Sequence, residues 1–271
     1  MGRSARPRKE REVPDRSSPS ERASSKQGTS EQRRIPDLAD PRYLDEVGWF
    51  LYHEAHHRDQ FEGSYEEERL EYSRLLMEGV LRQLDQDVDW LRDKRVVTVG
   101  AGCTADLSTW PAAVKVAVDP LLYTYQKLGL LLEDQDGTNP TVFLSTVIDE
   151  VPLVDRCADL VLCRNALDHT PRPDRMLDEI WRMLDPKGHL YLSVDIGGKP
   201  TPDEPTVFSP ESLSSLVRDR FEVSKWEQDP QSHSDHRLGR IRILARKKEL
   251  PEPTLDRGGV LAAYEARLEE G

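Results

Sequence analysis

Gly100-Ala101-Gly102 follows the short β-branched run Arg95–Val99, and Asp119-Pro120 closes a second such run, Val114–Val118. Glycines at the end of a strand let the backbone turn through positive φ. With no Cβ in the way, their N–H groups can approach a bound ligand closely. An acid ending the next strand can accept both ribose hydroxyls of an adenosine. Farther on, Asn165-Ala166-Leu167-Asp168-His169 follows the apolar run Ala158–Cys163. In an open α/β sheet that position lies at the carboxyl edge, where ligands bind. His169 is therefore a candidate general base, and Asp168 a candidate to orient it or to bind a substrate. The alternative is that Asp168 and Thr170 satisfy loop backbone while His169 packs against the next helix.

A different chemistry is written in His53-Glu54-Ala55-His56-His57. On a helix, histidines at i and i+4 can share a Zn²⁺, with the glutamate activating its water, as in zinc peptidases. Arg58-Asp59-Gln60 follow, where such a site needs apolar residues, and Gly63 stands where a third histidine would fall. No metal is expected there. Cys103, Cys157 and Cys163 include no CxxC pair, which argues against a thiolate zinc site or a disulfide framework.

These residues need a scaffold that alternates strands and helices. Further strands are expected at Thr141–Leu144 and His189–Val194, with helices at Leu121 to about Leu132 and Arg175–Leu184. Pro186-Lys187-Gly188 reads as a turn. Ser209 caps a helix that starts at Pro210. Phe221–Trp226 and Leu238–Ala245 then follow without a helix between them and should pair antiparallel. Two helices are expected upstream, Pro41 to about Gln60 and Ser64 to about Trp90. Trp49, Phe50 and Tyr52 on the first are candidates for an aromatic lid or for helix-to-sheet packing.

The glycine run also satisfies GxGxxA, the dinucleotide fingerprint. About ninety residues precede it, however, and the chain ends on an antiparallel pair, neither of which suits a nicotinamide fold. The ordered set Val96–Thr104, Val116–Pro120, Val151–Leu153, Ala158–His169 and Arg182–Leu190 resembles class I S-adenosylmethionine-dependent methyltransferases of the small-molecule type. The resemblance covers roughly residues 95–247. It implies an α/β, Rossmann-like seven-stranded sheet in the order 3-2-1-4-5-7-6, strand 7 antiparallel, with helices on both faces. It also implies S-adenosyl-L-methionine as cofactor. Gly100, Ala101 and Gly102 would face its methionine portion, Asp119 and Pro120 its ribose, and Val147 its adenine, with Asn165 on the floor beside the sulfonium. Thr98 and Thr104 depart from the family, which commonly has an acid and a third glycine there. A degenerate binding module is the reading those departures favour, and a zinc peptidase is a distant third.

Four segments are expected: a disordered basic leader at 1–38, a helical cap at 39–92, the methyltransferase domain at 93–248 and a tail with a short helix at 249–271. Residues 1–35 hold ten basic and five acidic side chains, so with a total charge of −12 the remainder carries −17. Such a body repels a phosphate backbone, and duplex nucleic acid is not an expected partner. No apolar run is long enough to span a membrane. The expected setting is cytoplasmic, and the expected partner is a small-molecule or sugar- or lipid-linked methyl acceptor.

Overall fold

The computed structural model describes residues 40–56, 64–103, 107–132, 139–231 and 237–249. The strands are β1 (Arg95–Val99), β2 (Val114–Val118), β3 (Thr141–Leu144), β4 (Ala158–Arg164), β5 (Leu184–Ile196), β6 (Phe221–Asp229) and β7 (Gly239–Lys247). They form one seven-stranded sheet in the order β3-β2-β1-β4-β5-β7-β6. β3, β2, β1, β4 and β5 pair in parallel, whereas β7 runs antiparallel to both β5 and β6. This is the order and the orientation that the resemblance implies.

Alternate residues of a strand face opposite sides of a sheet, and both sides here are covered. Val97, Val99, Val161 and Leu192 pack with Met176, Leu177 and Ile180 of α4 (Pro173–Met183) and with Leu213 and Val217 of α5 (Pro210–Arg218). On the other side Val96, Leu160 and Leu162 pack against Met77, Val80, Leu81 and Leu84 of α2 (Tyr65–Leu84). Strands buried on both faces read as continuous apolar runs, which is why β1, β2 and β4 were so legible. α1 (Pro41–His56) packs Val47 and Phe50 against Cys103, Leu121, Tyr125 and Leu130, beside the loop that leaves β1. That contact also uses Tyr125 of α3 (Leu122–Lys127).

Two helices are shorter than their apolar spacing suggests. α2 starts at a capping box between Ser64 and Glu67 and ends at Leu84, because Asp85 takes a left-handed conformation (φ 56°). Asp87 then caps a separate 3₁₀ helix, Val88–Asp93, so Val88 and Leu91 continue the stripe without continuing the helix. α3 ends at Lys127 rather than near Leu132, with Gly129 at φ 73° turning the chain away. β5 begins five residues earlier than expected. Its pairing with β4 jumps from Ala158–Leu184 to Leu160–His189, so the predicted Pro186-Lys187-Gly188 turn survives as a bulge inside the strand.

Candidate functional site

Gly100 and Gly102 both adopt positive φ, 67° and 57°. A Cβ on Gly100 would collide with Ala166 Cβ, and one on Gly102 would lie 3.3 Å from Phe50 Cζ. The loop therefore requires glycine at Gly100 and crowds any side chain at Gly102 against Phe50. Gly100 and Gly102 line a cavity of about 290 Å³ at the carboxyl ends of the strands. Ala101 does not line it, being buried against Ala117 and Leu122. Arg69 of α2, itself buried, braces the loop from behind by donating to the Cys103 and Leu130 carbonyls. Thr98, on the α2 side of β1, is buried with its hydroxyl unpartnered. Thr104 lies outside the described residues.

Asp119 sits where β2 ends. Its Oδ2 accepts the Gly102 N–H at 3.0 Å and its Oδ1 the Leu121 N–H at 2.8 Å. Burial raises its carboxyl pKa above the ordinary range, against the downward pull of those two N–H groups. Each oxygen keeps a further lone pair for a ligand hydroxyl. Pro120 and Val147 also line the cavity. Ser145 Oγ binds them into one corner, donating to Pro120 O at 3.1 Å and accepting from Tyr123 N at 3.2 Å.

The chain leaving β4 supplies the opposite wall. Asn165 holds φ at 46° and donates its backbone N–H to Ser193 O at 2.8 Å. Its side-chain Nδ2 approaches His169 Nε2 at 3.4 Å, while its Oδ1 is buried with no partner. An orphaned acceptor beside a glycine cradle is what a donor-bearing ligand would satisfy. His169 lines the cavity. Burial lowers its pKa, opposed by Glu204 and Asp203, so the imidazole is neutral near pH 7.

Asp168 departs from the role the sequence suggests. It does not line the cavity, its side chain is fully buried, and neither carboxylate oxygen has a hydrogen-bond partner. It does not orient His169 through a hydrogen bond. Burial first, and then Glu204 and Asp195, push its pKa up to about 8. The acid that faces His169 Nε2 is Glu204, at 4.0 Å. Glu204 is in turn held by the buried Arg237, whose Nε donates to Oε2 at 2.6 Å.

The helical cap contributes Tyr43 and Glu46 to the lining, whereas Trp49 and Tyr52 are exposed and Phe50 is buried against Tyr125 at a ring separation of 5.5 Å. Burial, and then Asp119, Asp203 and Glu204, push the Glu46 carboxyl up to about 8, so it holds its proton near neutral pH. Of His53-Glu54-Ala55-His56-His57, only the first four residues fall in α1, and His57 lies outside the described residues. The roles of Glu46, Asp203, Glu204, Arg237 and Arg69 were not visible in the sequence. No short-range spacing links them to the glycine loop, and a single acid or arginine on a polar helix carries no signal of its own.

The cavity thus joins two positive-φ glycines, the loop-anchoring Asp119, an orphaned amide oxygen and a neutral imidazole along the edge formed by β2, β1 and β4. Residues 99–192 match the family model described as a methyltransferase domain. No curated protein sequence matches the chain. Among solved structures, it is similar to the 1,6-didemethyltoxoflavin-N1-methyltransferase of Burkholderia thailandensis, crystallised with 1,6-didemethyltoxoflavin and S-adenosylhomocysteine. The identity is 19%, over 80% of this chain and 93% of that one, with a TM-score of 0.49. It is also similar to the YcgJ protein of Bacillus subtilis, at 14% identity over 66% of this chain and 100% of that one, TM-score 0.47. A third likeness is to a SAM-dependent methyltransferase of Methanosarcina mazei, at 18% identity over 58% and 93%, TM-score 0.45. Among the described residues, no helix is long and apolar enough to cross a membrane.

Proposed function

We propose that this chain binds S-adenosyl-L-methionine and transfers its methyl group to a small-molecule or sugar- or lipid-linked acceptor; the match of residues 99–192 to a methyltransferase-domain family model and the order of the sheet support this reading. The observation that carries the reading is the convergence of three features on one cavity: the two positive-φ glycines, the loop-anchoring Asp119 and the orphaned Asn165 Oδ1. When bound, the cofactor supplies an electrophilic methyl carbon on a sulfonium. What remains for the protein is alignment, exclusion of water and the acceptor's proton.

The Gly100 to Gly102 backbone and Asn165 hold the methionine end in this reading. Asp119 takes the ribose hydroxyls, with Pro120 beside it and Val147 against the base. Glu46, lining the cavity from α1, gives up its proton to pair with the cationic end, where Thr98 supplies no acid. His169, kept neutral by burial, is placed to take a proton from an acceptor hydroxyl or amine.

The test is release of S-adenosylhomocysteine from methyl-labelled cofactor, read across pools of hydroxyl, amine and thiol small molecules. One acceptor class should drive release, with the label on the acceptor. With that acceptor, His169→Ala should leave cofactor affinity nearly intact while turnover falls at least about a hundredfold. Cofactor that binds tightly but is never demethylated would favour the binding-module reading, for which the unpartnered Thr98 hydroxyl is the supporting observation.

A further inference from the structure

Asp168, His169 and Glu204 bring one carboxylate oxygen each and one imidazole nitrogen to within 4.8 Å of one another. Ligand atoms on a single divalent ion, at bond lengths of about 2.0–2.2 Å, lie roughly 3–4.4 Å apart. The three groups therefore need only small side-chain rotations to close on one ion. A second observation concerns Asp168 alone: its side chain is fully buried, yet neither oxygen has a hydrogen-bond partner.

The neighbouring acids are each provided for. Glu204 Oε2 takes Arg237 Nε, Asp195 Oδ1 takes Arg240 Nε at 3.2 Å, and Asp203 Oδ1 accepts the Thr201 hydroxyl at 2.6 Å. Among the described residues, no such partner reaches the Asp168 carboxylate. A buried carboxyl in that condition either keeps its proton or takes a positive charge as its partner.

We propose that an Asp168 carboxylate oxygen, His169 Nε2 and Glu204 Oε1 form a binding site for one divalent transition-metal cation. One imidazole and two carboxylates suit Mn²⁺, Fe²⁺, Co²⁺ or Zn²⁺ rather than ions that favour thiolates. Of the three groups only His169 lines the cavity, so the cation sits in the cavity wall with its His169 side inward. The site stands without the methyl-transfer reading, and only its consequence rests on that reading. A cation on Nε2 makes His169 a ligand instead of a free base, and leaves the cation's open positions to lower the pKa of an acceptor hydroxyl.

The experiment uses the full, untagged chain, stripped with chelator and titrated with Co²⁺ alone. Calorimetry gives stoichiometry, and visible d–d absorption reports ligation. The site predicts one Co²⁺ per chain, bound at least about tenfold more weakly by Asp168→Asn and by His169→Ala and unchanged in His57→Ala. Asp168→Asn keeps the side chain's shape, and His169→Ala changes a partly exposed residue, so one variant can test the site if the other fails to fold. Absence of saturable binding overturns the proposal. So does binding that His57→Ala abolishes while Asp168→Asn and His169→Ala leave it intact, which would assign the ion to the His53-Glu54-Ala55-His56-His57 motif. S-adenosylhomocysteine affinity, measured on the same samples, separates the two claims: cofactor binding without Co²⁺ rejects the cation site alone, and Co²⁺ binding without cofactor rejects the methyltransferase reading alone.

Discussion

Gly102 donates its backbone N–H to Asp119 Oδ2 at 3.0 Å, tying the loop after β1 to the end of β2. The residue proposed to hold the ribose therefore also shapes the loop beside it. Asp119→Ala should weaken S-adenosylhomocysteine binding roughly ten- to a hundredfold, or about 1.5–3 kcal/mol. Amide exchange at Gly102 should quicken at the same time. Equal affinity in parent and variant would remove Asp119 from the site.

Gly100 and Gly129, two of the glycines with φ near 70°, should respond differently to alanine. At Gly100 the new methyl meets Ala166 Cβ, whereas at Gly129, with φ 73°, nothing lies within 4 Å. Gly129→Ala should cost only the left-handed backbone penalty, about 1–2 kcal/mol, and leave ligand affinity alone. Gly100→Ala should cost more, about 2–4 kcal/mol, and abolish ligand binding. Thermal unfolding and calorimetry on the pair check this.

Cys103 lies in the glycine loop beside the cavity-lining Gly102, where a low-pKa thiol would be reactive. Its environment works the other way. Burial, only partly offset by Arg69, pushes the thiol up to about 12. It should resist alkylation at pH 8 in the native protein, as should buried Cys163, leaving Cys157 as the first thiol to react. Rapid native labelling of Cys103, located by peptide mass mapping, would mean that the loop opens readily.

At the opposite edge of the sheet, Arg95 grips Asp159 with Nε at 2.9 Å, Nη2 at 2.8 Å and its own backbone N–H at 2.8 Å. Partial burial works to raise the Asp159 pKa, but those three donors outweigh it and hold it below the usual range. A depressed carboxylate contributes stability that is full above its unfolded pKa, about 3.9, and that is lost as pH falls through the folded value. Asp159→Asn should lower stability by about 1–2 kcal/mol at pH 7, allowing for the pair's partial exposure. The gap from the parent should close below about pH 3. A gap that stays constant across that range would assign the loss to packing.

The sheet was legible because its strands are short apolar runs punctuated by Gly100, Asp119-Pro120 and the Pro186–Gly188 turn, all local signals. Gly100, Asp119 and Asn165, which line the cavity, were legible for the same reason, since each directly follows a strand. What escaped the sequence depends on distance. Arg69 reaches the Cys103 carbonyl from α2, Glu46 reaches the cavity from α1, and Arg237 holds Glu204 across 33 residues. Adjacency in sequence did not show that Asp168 is buried outside the cavity while His169 lines it, or that Glu204 is the acid 4.0 Å from His169 Nε2. Trp49 and Tyr52 were offered as a lid on composition, but Phe50 takes the buried face of α1 and leaves them outside.

The central claim is that this cavity holds S-adenosylmethionine and not a nicotinamide dinucleotide, and calorimetric titration of the purified full chain tests it most directly. S-adenosylmethionine and S-adenosylhomocysteine should each bind once per chain and compete with one another, while NAD gives no heat of binding. Saturable NAD binding, or one-to-one binding of neither sulfur compound, would contradict the account.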